Sequence, residues 1–197
     1  MKFTKMEGCG NDYVYVNGFE EKIDNPNEVA IAVSDRHFGI GSDGLIIINP
    51  SEVADFKMCM YNADGSEGKM CGNGIRCVAK YVYDFNLTDK DVITVETLSG
   101  IKTLKLNVEN GKVKTVRVNM GAPILECDKV PVKYDDEKMI NKPVKVDGKT
   151  FNITCVSMGN PHAVTFINDT DNLEIEKIGP KFETHKLFPK KINTEFA

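Results

Sequence analysis

Apolar and polar residues alternate in short runs along most of this chain, and the runs predict strands more often than helices. Residues 2–6 predict a short strand entering a glycine turn at 8–10, and 13–16 resume extended structure. Asp24 or Asn25 can cap a helix that has Pro26 near its first position and ends by about residue 35. Two short apolar strands follow, 45–48 and 56–61. The best-marked helix comes next: Ile75, Val78, Ala79 and Val82 recur at i, i+3, i+4 and i+7, which gives one apolar face. Its start lies within Cys71-Gly72-Asn73-Gly74. Strands at 92–96, 101–108 and 112–119 are separated by Ser99-Gly100 and Asn110-Gly111, the second a strong hairpin signal. This is a meander packed with a helix, not a βαβ series.

A second block begins near Gly121. It opens with a variable, Lys-rich stretch over 128–149, followed by strands around 151–157 and 163–167. A helix is expected over 173–178, stopping at Gly179-Pro180. Residues 193–196 read as the opening of a strand, after which the sequence ends; this alone predicts a truncated domain.

Composition narrows the function classes. The chain has 197 residues, 41% hydrophobic and 27% charged, ordinary values for a globular protein. A formal net charge of −4 lacks the basic footprint of a nucleic-acid binder. The N-terminus has no signal-peptide pattern and no apolar run is long enough to span a bilayer, so a cytoplasmic protein without a membrane partner is expected. None of the six cysteines forms a CxxC pair, which removes the main support for zinc-ribbon and thioredoxin readings. Free thiols are expected, most of them small buried hydrophobes.

Cys71 reads differently. It sits between a strand and an amphipathic helix, in Asn62-Ala-Asp-Gly-Ser-Glu-Gly-Lys-Met-Cys71-Gly-Asn-Gly-Ile-Arg-Cys77. A helix N-terminus is an anion site and lowers the pKa of a thiol placed there. Cys71 is therefore expected as a thiolate near neutral pH, beside a cradle for a carboxylate. The bland alternative is a strand-to-helix turn with a buried cysteine; Cys77, inside the helix, is read as core. A second segment, Ser157-Met-Gly-Asn160-Pro-His162, presents an amide and an imidazole after a strand, and a thiol needs a nearby proton acceptor. His37 and His185 have no comparable setting. Gly8-Cys-Gly-Asn11-Asp12 is weak alone, since Asn11 and Asp12 could simply cap a turn. Gly39-Ile-Gly-Ser-Asp-Gly44 matches GxGxxG, but a helix precedes it and a strand follows, the reverse of a dinucleotide site. It is read as a structural turn.

Together these segments resemble the diaminopimelate epimerase family. The matching stretches are EGCGNDY, SDRHFGIGSDGLI, YNADGSEGKMCGNGIRC, CVSMGNPHAVTF and FPKKINTEF, in the family's order over nearly the whole chain. The resemblance implies an α+β fold of two pseudo-symmetric domains, each a curved, mostly antiparallel sheet wrapped around a central helix. It sets an N-terminal domain at 1–118 and a partial second domain at 119–197, with the active site in the cleft between them. The implied activity is interconversion of LL- and meso-diaminopimelate for lysine and peptidoglycan synthesis, with no pyridoxal phosphate, metal or other cofactor. The implied partner is the amino-acid substrate, and a homodimer is compatible with it. Cys71 matches the first catalytic cysteine and His162 the histidine that assists it. Asn11, Asn62, Asn160 and Asn193 match substrate-binding asparagines. Gly72 and Asn73 match backbone contacts to the reacting carboxylate.

Three departures stand out. Gly44 occupies the place of a substrate-contacting glutamine in some members. Glu7 and Cys9 replace a histidine and a leucine. The family's second motif, a Glu-Arg pair and then a Cys-Gly-Thr-Gly turn, is not among these residues, so the 197-residue polypeptide is expected to be inactive alone. Proline-racemase-like proteins have His where Asn73 stands, and phenazine-biosynthesis-type isomerases lack the cysteine. A related epimerase or racemase for another amino acid, or an inactive ligand-binding fragment, are the alternatives.

Overall fold

A computed structural model describes residues 1–197. The chain divides into two compact units, Met1–Asn119 and Met120–Ala197. No helix is long and apolar enough to cross a membrane.

The first unit holds strands β1 (Thr4–Gly8), β2 (Asn11–Asn17), β3 (Gly44–Asn49), β4 (Phe56–Asn62), β5 (Glu67–Gly68), β6 (Val92–Thr97), β7 (Gly100–Glu109) and β8 (Lys112–Val118), with helices α1 (Pro26–Ser34) and α2 (Gly72–Asp84). The sheet order is β1-β2-β3-β4-β6-β7-β8, with the short β5 on β4. All pairs are antiparallel except β2 with β3 and β4 with β6. Both edge strands, β1 and β8, touch α2, as do β2 and β7, so the sheet curls around that helix.

The alternation along β2 and β3 explains the layering. Tyr13, Tyr15, Ile46 and Ile48 point at α2 and join its Ile75, Val78, Ala79 and Val82 in one core. Val14, Val16, Leu45 and Ile47 point the other way and pack with Ala30 of α1. Covered on both faces, these strands read as nearly unbroken apolar runs. The hairpin loop at Asn110-Gly111 has positive φ at both residues, 52° and 73°. That is the backbone a two-residue turn of matching twist requires. The loop joining β1 to β2 has the same form, with φ of 56° at Cys9 and 80° at Gly10.

The second unit contains β9 (Lys142–Val146), β10 (Lys149–Ser157), β11 (Pro161–Thr165), β12 (Asn193–Phe196) and α3 (Ile175–Glu183). Its sheet runs β12-β11-β10-β9, with β11 and β12 parallel. The Lys-rich stretch, to which the sequence assigned no element, contains β9, which pairs with β10 across Asp147-Gly148, again at positive φ. One expectation needs correction here. Helix α3 does not stop at Gly179-Pro180 but continues to Glu183, with Pro180 inside it. A proline there costs about 3 kcal/mol. Phe182, the residue that continuation positions, is fully buried against Phe151 and Phe196. Burying one such side chain contributes about 1.5–3 kcal/mol and offsets most of that cost.

Candidate functional site

Cys71 is the N-cap of α2, in extended backbone, and its sulfur accepts the Gly74 N–H at 3.3 Å. The cap works because the first N–H groups of a helix have no intrahelical acceptor. The Gly74 amide is thus taken by sulfur and is not free for a carboxylate. Those of Gly72 and Asn73, in the first turn of α2, have no acceptor within the helix. Gly74 itself is closely confined, since a side chain there would meet Ile46 Cδ1 at 2.7 Å and Cys71 Cβ at 3.4 Å. The Asn73 side chain is held by Arg76 Nη2 at 2.7 Å, within the helix.

The Cys71 thiol donates to Asn11 Oδ1 at 3.1 Å. Asn11 opens β2 and Cys71 opens α2, so a hairpin end and a helix end are joined through one hydrogen bond. Tyr13 lies beside both and is buried; burial, then the neighbouring Cys71 sulfur, push its hydroxyl up to about 12. Beneath them the Tyr15 hydroxyl donates to the Gly74 carbonyl at 3.4 Å. Burial raises this hydroxyl even further. Asn62 ends β4 opposite Gly44 of β3, and its amide donates to Ser66 Oγ at 2.9 Å. Cys77 is buried in the core around α2, as read from the sequence.

Gly44 explains one departure. A Cβ at this position would sit 2.1 Å from the Tyr61 carbonyl oxygen and 2.8 Å from Tyr13 Cε1. No side chain can reach outward from it without moving β4. Gly44→Ala is expected to destabilise the chain by about 3 kcal/mol, at the upper end of overpacking costs. Urea unfolding checks this, and a loss below about 1 kcal/mol would show that the strand yields easily.

In the second unit, His162, Asn160 and Asn193 come together at one end of β11 and β12. His162 Nδ1 shares a hydrogen bond with Glu195 Oε1 at 2.5 Å, and Nε2 is 2.9 Å from Asn160 Oδ1. Asn193 pairs with His162 across the strands, and its amide donates to the Pro161 carbonyl at 3.0 Å. Glu195 was not anticipated; its second oxygen is buried without a partner. His37 and His185 take no part: the His37 N–H binds Asp35, and His185 Nδ1 accepts the Leu187 N–H.

The free cysteines sort by burial. Cys9 is exposed, Cys59 and Cys71 are intermediate, and Cys77, Cys127 and Cys155 are buried. No cluster of three His, Cys, Asp or Glu side chains is placed to hold a metal ion.

Comparison with known proteins adds the family. The "Diaminopimelate epimerase" family profile matches residues 3–126. A curated diaminopimelate epimerase of Acetivibrio thermocellus is 63% identical over the whole chain, which spans 70% of that relative. One from Methanococcus maripaludis is 58% identical, again over the whole chain and 71% of the relative. Among solved structures, a hydroxyproline epimerase from Agrobacterium vitis superposes with a TM-score of 0.59 at 12% identity, over 90% of this chain and 52% of that one. A PhzF-family protein of Bacillus anthracis gives 0.56 at 19%, over 84% and 54%. These structures share the fold. With a profile match over more than half its length and close relatives along all of it, the chain belongs to the diaminopimelate epimerase family.

Proposed function

We propose that the protein interconverts LL- and meso-diaminopimelate by proton transfer at the α-carbon, with Cys71 serving one face. The observation that carries this is the placement of the Cys71 sulfur at the open end of α2, touching Asn11 Oδ1 and beside two amides with no helical acceptor. The α-proton is weakly acidic, so its removal must be matched by stabilising the charge that builds on the adjoining carboxylate. The amides of Gly72 and Asn73 supply fixed dipoles for that charge. The Cys71 thiolate takes the proton and becomes the thiol; in the reverse direction the thiol returns it. Inversion needs a second acid–base group on the opposite face, which this proposal assigns to a residue outside these 197. Asn11, Asn62, Asn160 and Asn193 bind substrate. His162 assists Cys71, and to accept a proton at Nε2 it must exchange its Asn160 contact for another.

Solvent deuterium tests the division of labour. In D2O, the 197-residue polypeptide is expected to give no two-way inversion from either isomer. The same residues extended by the C-terminal part of the Acetivibrio relative should invert the α-carbon with deuterium incorporated. Rapid inversion by the 197 residues alone would sink the two-face assignment. Failure of the extended chain with an intact fold would sink the substrate.

A further inference from the structure

Asp43, the residue before Gly44, is joined to Asn11 rather than to substrate-facing space. We propose that Asp43 is a positioning residue that locks the Asn11 amide with its oxygen toward the Cys71 sulfur. The two ends of an asparagine amide are told apart only by their partners. Here one partner leaves no choice. Asn11 Nδ2 lies 2.7 Å from Asp43 Oδ2, and an ionised carboxylate can only accept. Turning the amide over would press oxygen against oxygen.

Asp43 is itself fixed. Its Oδ2 also accepts the Asp12 N–H at 3.1 Å, its Oδ1 accepts Arg36 Nη2 at 3.0 Å, and its own N–H donates to the Asp12 carbonyl at 2.7 Å. Arg36 continues to Asp12, whose carboxyl it holds well below the usual range. The lock therefore reaches from a guanidinium through two side chains to the sulfur.

Its consequence is chemical. Between Asn11 Oδ1 and the Gly74 N–H, the sulfur meets one acceptor and one donor, a pairing that a thiol satisfies completely. A thiolate loses its Asn11 partner and is left with the Gly74 N–H and the neighbouring Tyr13 hydroxyl, because Asp43 prevents Asn11 from turning its NH2 inward. Asp43 thus holds an acceptor, and not a donor, toward the Cys71 sulfur.

This inference rests on Cys71 being the working thiol, and alkylation of the wild-type chain separates the two questions. Asp43→Asn keeps the shape and allows both amide orientations. It is expected to raise the carbamidomethylation rate of Cys71 at pH 7.5 by roughly five- to tenfold, the worth of one hydrogen bond to a charged sulfur. Buried Cys77, mapped in the same digest, should keep its rate. Asn11→Asp, which sets a carboxylate against the sulfur, should slow Cys71 instead. An unchanged or slower Cys71 in Asp43→Asn, parallel acceleration of Cys77, or an unaffected rate in Asn11→Asp would overturn the lock. If wild-type Cys71 is inert, the catalytic reading fails while the lock stays measurable. The Asn11 side-chain NH2 protons, assigned by NMR, should be protected from exchange in the wild type and unprotected in Asp43→Asn; equal protection would again overturn it.

Discussion

At pH 8 a small haloacetamide labels Cys71 of the folded chain at least about a thousandfold faster than Cys155, and ahead of the other four thiols. The contrast comes from two multiplying effects. Cys155 lies fully buried on β10, and burial pushes its thiol from 9.0 up to about 12. Four pH units below that value, about one molecule in ten thousand carries the thiolate. The reagent must also enter a core that opens only by partial unfolding. Cys77 and Cys127 are raised by burial in the same direction. Cys71 stands half-buried where α2 begins, with no core to open. Cys9 is exposed but holds no helix-end position. Mass mapping after timed quenching reads all six sites, and labelling of Cys9 or Cys155 before Cys71 would contradict the assignment. The sign of the pH effect also follows. A thiol whose folded value is raised stabilises the fold below its unfolded value near 9 and loses that contribution as pH climbs towards 12. Labelling of Cys155 should therefore keep rising with alkali up to about pH 12.

Where local chemistry leaves one option, the sequence was readable. Asn110-Gly111 demands a two-residue hairpin, and one forms. The period of Ile75, Val78, Ala79 and Val82 places α2 and its buried face, and the Gly72-Asn73-Gly74 run that opens it places Cys71 at its cap. Asp147-Gly148, flanked by alternating valines at 144 and 146, carried the same hairpin signal; the many lysines around it hid β9. Other features depend on register and distance. Asp43 reaches Asn11 because β2 and β3 pair in parallel with Val14 opposite Leu45, a fact no local window contains. Glu195 meets His162 because β12 lies beside β11 in parallel, 33 residues apart in sequence. The confinement of Gly44 likewise requires knowing that the Tyr61 carbonyl of the neighbouring strand β4 crowds it. Local pattern finds the elements and the cap; the groups that hold the chemistry in place come from strands meeting across the sheet.

Phe182→Ala is expected to destabilise the second unit by about 3–5 kcal/mol, the usual cost of removing a fully buried phenylalanine. The ring is completely enclosed and packs edge-on against Phe151 at 5.0 Å and Phe196 at 5.1 Å between centroids. These partners belong to β10 and β12, so one side chain ties α3 to two strands of the four-stranded sheet. It also offsets the proline inside α3, and without it the helix has reason to end where Pro180 first suggested. The effect extends to the candidate chemistry. β12 has four residues, pairs with one strand, and is held from the side chiefly by Phe196; it carries both Asn193 and Glu195. Loosening it should break the hydrogen bond between Glu195 and His162 before the rest of the sheet unfolds. Hydrogen exchange on the variant is expected to show lost protection at Val164 to Ala197 while β6, β7 and β8 of the first unit keep theirs. A variant that unfolds less than about 1 kcal/mol below the parent, with β12 still protected, would show that the aromatic trio does not hold that strand.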